Sequence, residues 1–344
     1  MDRRLPESLD ALSDLLDREV SPPEFVIKLF FPRGELTEIV GAHGVFKSTI
    51  ALDACLSIAT GTPWCNVPVQ QGRAVFITLE DSADTLARRV KAWFLGFDTQ
   101  AELEAAEHAA RANLTVLTRE RSQGLVLTRT TAGSTESLMD VAEHLADLTA
   151  GASIVVLETT SRIHDGPETN DAFAALVRAL ERITATGAAV VIVRHVSKKA
   201  AREGTADSYA GRGGGSLSDA VRSSLSVTRQ PGNPHAPVTL TAAKSTHAQA
   251  GATLTWQPVE IGQLGGVRLE PWSAEMAVTR DADLLLAFIG TRERGVTVRE
   301  IHNETPDGLT RNRALTALDV LRAHDRVVVK EEVKSLSVCK SYSR

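Results

Sequence analysis

Cysteine is scarce. Cys55, Cys65 and Cys339 are the only three in 344 residues, odd in number and without C-x-x-C spacing, which excludes a disulfide framework and a zinc knuckle. No stretch approaches the roughly 18 consecutive apolar residues of a membrane span, and Met1-Asp2-Arg3-Arg4-Leu5-Pro6-Glu7 lacks the apolar centre of a signal peptide. The expectation is a cytoplasmic protein with no membrane partner. Charge excess is also small. A formal net charge of -5 argues against indiscriminate binding to polyanions, while leaving room for a local basic stripe in a ring or groove. The sequence contains no H-E-x-x-H, no G-x-S-x-G, no cysteine–histidine metal spacing, no internal repeat and no low-complexity tract, so zinc-protease and serine-hydrolase chemistry are not indicated.

What is present has the texture of a globular α/β protein. With 43% apolar and 24% charged residues, the chain has the material for one large domain and a small one. From residue 36 to about 228, apolar β-rich runs (Leu36 to Val40, Ala74 to Leu79, Leu114 to Leu117, Ile154 to Leu157, Ala188 to Val193) alternate with helical patterns, which predicts a mainly parallel sheet covered on both faces. Residues 1–34, proline-punctuated with one amphipathic stretch, read as an N-terminal arm. Residues 35–275 read as the α/β domain, with the stretch 238–273 forming further strands of the sheet or a small hairpin. Residues 281–335 read as three short helices and a strand resembling a winged helix, Thr310 capping the third helix. Residues 336–344 are a tail.

The most informative run is Glu38-Ile39-Val40-Gly41-Ala42-His43-Gly44-Val45-Phe46-Lys47-Ser48-Thr49-Ile50. A strand, a glycine-bearing turn ending in Lys-Ser-Thr and an apolar helix are the layout of a phosphate-binding P-loop. There, backbone N–H groups cradle phosphates, the lysine reaches the terminal ones and the hydroxyl holds Mg²⁺. Gly41, Gly44, Lys47, Ser48 and Thr49 are the candidate cradle, and Cys55 is a small core residue of the helix behind it. Phe46 stands where the second glycine of the pattern belongs, so it must adopt glycine-like backbone angles at some strain or reshape the loop. Other predicted strands also end in polar residues, at Glu80, Glu158 and Arg194-His195. Ligands of open α/β sheets bind at the carboxyl ends of the strands, so these positions mark one cleft.

From Gly34 to about Lys244 the sequence resembles the RepA-like hexameric replicative helicases, a DnaB-related branch of the RecA-fold P-loop ATPases. The resemblance lies in the P-loop and Ala59-Thr60-Gly61-Thr62-Pro63-Trp64, then Leu79-Glu80-Asp81 with Arg89. It continues through Glu158-Thr159-Thr160-Ser161-Arg162-Ile163-His164, Asn170-Asp171, Arg194-His195-Val196-Ser197-Lys198, and Gly211-Arg212-Gly213-Gly214-Gly215-Ser216-Leu217-Ser218-Asp219 with Arg222. It implies a RecA-like domain that binds ATP and Mg²⁺ and hydrolyses ATP between subunits of a homo-oligomer, a hexameric ring, on single-stranded DNA alongside replication proteins. Lys47 and Ser48 would bind phosphate and metal. Glu80 would act as base, Glu158 would support the metal where the family normally has aspartate, and His195 would sense the γ-phosphate. Arg212 would reach into the neighbouring subunit as an arginine finger, and Arg89 would stack on adenine. Arg194 stands where the family commonly has a second histidine. A nucleotide-binding assembly or regulatory protein with weakened catalysis is the alternative. Lys198, Lys199 and Arg202 are either a backbone-gripping channel loop or a solvated basic loop. Arg311, Arg313 and Arg322 suit a recognition helix, but 11 Lys/Arg against 10 Asp/Glu in residues 281 to 344 is little excess for reading DNA, and a protein contact stays equally open.

Overall fold

A computed structural model describes residues 12–131, 134–196, 215–233, 236–292, 296–304, 309–324, 326–330 and 335–338. After a short helix α1 (Leu12–Leu16), strands β1 (Phe25–Ile27) and β2 (Phe31–Pro32) pair antiparallel. The stretch expected to be an arm therefore ends in structured chain: Val26, Ile27, Phe30 and Phe31 are buried in the main core, where Phe30 and Phe31 pack on Trp64. Burying four large apolar side chains ties this hairpin to the domain.

Among the described residues the central sheet has nine strands. Six are parallel, in the order β11 (Ser223–Arg229), β3 (Leu36–Gly41), β10 (Ala189–His195), β8 (Ile154–Glu158), β4 (Ala74–Thr78) and β5 (Leu114–Leu117). Beyond β11, strands β12 (Val238–Ser245), β13 (Thr253–Ile261) and β14 (Gly266–Pro271) continue the sheet antiparallel. The segment 238–273 thus extends the sheet. Strands β3, β4, β8 and most of β10 are buried on both faces, as their near-continuous apolar sequences require.

Two helical layers cover the sheet. On one face lies α2 (Lys47–Thr60), buried along nearly its whole length and stopped at Gly61, whose left-handed conformation (φ 79°) returns its N–H to the Ser57 carbonyl. Helices α3 (Ala83–Phe94) and α4 (Gln100–Asn113) flank it. On the other face lie α5 (Met139–Thr149), α7 (Asn170–Thr184) and α8 (Gly215–Ala220). Helix α7 starts where Thr169 accepts from the Ala172 N–H and buries Phe173, Leu176, Leu180 and Ile183 along one stripe. The short α6 (Thr160–Ile163) and β9 (His164–Asp165) follow β8, and β9 joins β6 (Thr128–Thr131) and β7 (Ser134–Ser137) in a small sheet. The strand β10, interposed between the P-loop strand β3 and the Glu158 strand β8, gives the α/β, RecA-like arrangement that the sequence led us to expect.

The C-terminal region has its own core. Helix α9 (Ala274–Gly290) begins earlier than the change of texture at Asp281, because Ser273 caps it. Helices α10 (Val298–Asn303) and α11 (Arg311–Ala323), the latter capped by Thr310, pack with α9 around Leu285, Ile289, Ile301, Leu318 and Leu321. Strand β15 (Val296–Thr297) pairs with β17 (Ser335–Val338), which pairs with β16 (Val327–Lys330). Residues 335–338 form part of this sheet, so the expected tail is in part a strand. No helix among the described residues is long and apolar enough to cross a membrane.

Candidate nucleotide-binding site

The alternation of a strand decides which polar residues meet. On β10, Val191 and Val193 face the α2 layer and Val190 and Ile192 face the α7 layer, so His195 projects toward α2 and Arg194 toward α7. Arg194 is accordingly fully buried. It pairs with Glu38 (2.6 Å) and lies over the Phe173 ring, and Ser224 donates to the other oxygen of Glu38 (2.9 Å). This residue, placed by the sequence beside the γ-phosphate sensor, is a structural cation on the opposite face. The same parity brings Gly41, Glu158 and His195 to the N-terminus of α2.

The loop between β3 and α2 keeps the P-loop course despite Phe46. Phe46 takes the left-handed conformation itself (φ 66°, ψ 22°) at the helix N-cap, and its carbonyl accepts from the Ile50 N–H. The ring is packed against the main core, with the Arg229 guanidinium 4.9 Å from its centroid. These contacts offset a conformational cost of about 1–2 kcal/mol for a non-glycine residue. Gly44 is also left-handed (φ 76°) with open space at its Cβ position, whereas a Cβ on Gly41 would sit 2.6 Å from the Val227 carbonyl. Glycine at 41 is therefore demanded by the close approach of β11.

Lys47 is buried. Its Nζ donates to the Ala42 carbonyl (2.7 Å) and lies 3.3 Å from His195 Nδ1. Burial pushes its pKa down to about 8, opposed by the charges of Glu158 and Glu80. Ser48 donates to Glu158 Oε1. Glu158 is only 1% exposed; burial pushes it up to about 7, against the Ser48 hydrogen bond, and its Oε2 is buried with no hydrogen-bond partner. A lysine and a carboxylate, both held away from their comfortable ionisation, and one orphaned carboxylate oxygen beside a hydroxyl fit a site for phosphate and a hard divalent cation.

Glu80 is presented by a turn in which the Glu80 and Asp81 N–H groups both donate to Thr78 Oγ1 (3.2 and 3.0 Å). Its carboxylate accepts from Thr159 Oγ1 (3.0 Å), with Arg162 at 3.9 Å. Two further residues were missed by sequence reasoning. His43, inside the P-loop, stacks on His195 with centroids 3.7 Å apart, and Thr159 orients Glu80. The histidine between two loop glycines was a readable signal; the threonine was not, since its role depends on two strands meeting. Arg89 is ion-paired with Asp81, and Thr49 shares a small crevice with Arg89 and Asp53. Arg212, Lys198, Lys199 and Arg202 lie outside the described residues. Away from this site, Arg311 is exposed on the first turn of α11, while Arg313 Nε donates to the buried Asp281 (2.7 Å), which anchors α11 to α9.

A model of the AAA domain family (AAA_25) matches residues 2–201. No curated protein matches the sequence. Among solved structures, one ATPase domain is similar at 12% identity over 70% of this chain and 85% of that chain, with a TM-score of 0.46. A KaiC-like protein from the hyperthermophilic archaeon Pyrococcus horikoshii OT3 is similar at 15% identity over 74% of this chain and 99% of that chain, also with a TM-score of 0.46. The family match spans more than half of the sequence and takes in the P-loop, Glu80, Glu158 and His195: the chain belongs to the AAA domain family.

Proposed function

We propose that the protein is an ATP- and Mg²⁺-dependent motor of the RepA-like helicase type, a homo-oligomeric ring, hexameric by its resemblance, that hydrolyses ATP between subunits and acts on single-stranded DNA in replication. The observation that carries this reading is the convergence of Lys47, Ser48, Glu158, Glu80 and His195 at one end of the sheet, with Glu158 Oε2 unsatisfied. Bound Mg²⁺ would neutralise charge on the phosphates and hold their geometry. Lys47 binds the terminal phosphates, and Ser48 and Glu158 hold the metal. Glu80, positioned by Thr159, takes the proton of the attacking water. His195, in contact with Lys47, senses the γ-phosphate, and Arg212 of the next copy supplies the cation for developing charge. Lys198, Lys199 and Arg202 contact the DNA backbone, Arg89 lies near the adenine, and the C-terminal helices and sheet act as a winged helix that docks DNA or a replication partner through the face bearing Arg311.

Phe46 and Glu158, departures from the usual pattern at phosphate and metal contacts, favour one other reading, a nucleotide-binding assembly or regulatory protein with slow turnover. ATP hydrolysis with Mg²⁺, with and without a single-stranded oligonucleotide, separates the two. The motor reading expects turnover stimulated by DNA and lowered by about two orders of magnitude or more in Lys47→Ala. Tight ATP binding with negligible turnover would favour the assembly protein. Absence of both in the wild-type protein would overturn the nucleotide-site assignment.

A further inference from the structure

A large cleft lies toward the C-terminal end of α2, away from the P-loop. It encloses about 990 Å³, at the upper end of the range for small-molecule sites. Its walls include Trp93, Phe97 and Trp256, and Asp53, Ser57 and Thr60 line it from α2. Spacings of four and three residues put these three on one face of the helix. Asp53 is the unusual member. It is a carboxylate in the middle of an apolar helix, 7% exposed yet lining the cleft. The Trp93 indole N–H donates to its Oδ1 (2.5 Å). The Trp64 N–H, fully buried next to the same carboxylate and close enough to favour its charge, makes no hydrogen bond of good geometry.

Among the described residues no cation is ion-paired with this buried carboxylate, although Arg89 and Arg268 line the crevice beside it, and its donor is the neutral Trp93 indole. Desolvation accordingly pushes Asp53 up to about 7. The remaining charges of the lining are also mainly acidic: Asp98, Glu102 and Glu270 against Arg268, which is itself bonded to Glu270 and to the Leu95 carbonyl. Aromatic faces beside a carboxylate attract organic cations, because the ring quadrupole and the anion act on the same charge.

We propose that this cleft is a second ligand site, separate from the nucleotide site, that binds an alkyl-ammonium or alkyl-guanidinium compound, its cationic head on Asp53 and its methylenes between Trp93, Phe97 and Trp256. The inference is independent of ATP hydrolysis. Full-length protein is titrated with agmatine as the probe, tryptophan emission is followed, and 1-butanol serves as the uncharged control. The wild-type protein is expected to saturate with a Kd below about 1 mM, with no saturation by 1-butanol. Asp53→Asn, which keeps an acceptor for Trp93, weakens agmatine binding at least tenfold, and Phe97→Ala, at a half-buried position, weakens it severalfold. Far-UV circular dichroism reports whether each variant is folded, and Phe97→Ala decides the matter if Asp53→Asn is not. No saturation in the wild-type protein, equal binding of 1-butanol, or folded variants that bind as tightly as wild type would each overturn the site.

Discussion

Two buried acid–base groupings lie on opposite faces of one sheet, one between strands β3 and β10 and the other between the start of α2 and strand β8, and their difference separates structure from chemistry. On the α7 face, Glu38 and Arg194 are closed on each other: each is fully buried, the guanidinium lies over Phe173, and Ser224 fills the second carboxylate oxygen. On the α2 face, Lys47 and Glu158 are also buried but incomplete. The lysine nitrogen is met by a carbonyl and a histidine nitrogen, and one oxygen of Glu158 has no partner. A satisfied network stabilises a fold; an unsatisfied one keeps room for a ligand to complete it.

The comparison breaks most sharply at Arg194. Arg194→Ala leaves Glu38 buried and unpaired, with an expected loss of about 3–5 kcal/mol in denaturant unfolding. Replacing both partners by apolar residues, Glu38→Leu with Arg194→Met, should recover most of that loss. A double variant as unstable as the single one would show that the pair does more than satisfy itself. On the other face, His43→Ala removes the ring stacked on His195 and is expected to lower kcat severalfold with little change in KM, read from steady-state ATP hydrolysis. Phe46→Gly gives the smallest effect. It relieves the left-handed conformation but loses the core packing and the contact with Arg229, so stability and turnover should both stay within about 1 kcal/mol of wild type. A large gain in turnover would mean that the aromatic ring restrains the loop.

The parallel sheet and the P-loop were legible because their signals are local: continuous apolar runs, glycine spacing, and the Lys-Ser-Thr start of α2. The conformation of Phe46 was legible as one of two alternatives. The role of Arg194 was not, since adjacent residues of a strand point to opposite faces and only the sheet shows which face holds the site. Thr159 escaped for a similar reason, its hydroxyl meeting Glu80 only because β8 lies beside β4. The β1–β2 hairpin was read as an arm because two- and three-residue strands carry no periodicity. Its burial depends on Trp64, distant in sequence.

Thermal unfolding and ATP hydrolysis of Glu158→Gln, compared with wild type across pH, test the incompleteness of the α2-face grouping most directly. The carboxyl of Glu158 is raised from 4.5 to about 7 on folding. Folded protein therefore holds its proton more tightly than unfolded chain, and the cost of burying the charge is fully present above pH 7 and vanishes below about pH 4.5. That cost is on the order of 3 kcal/mol. Without nucleotide, Glu158→Gln should unfold at a higher temperature than wild type at about pH 8, the gap closing as pH falls toward 4.5, while Mg²⁺-dependent hydrolysis drops. A variant that melts below wild type at that alkaline pH, or that hydrolyses ATP at the wild-type rate, would contradict the proposal that Glu158 is a destabilised carboxylate that holds Mg²⁺.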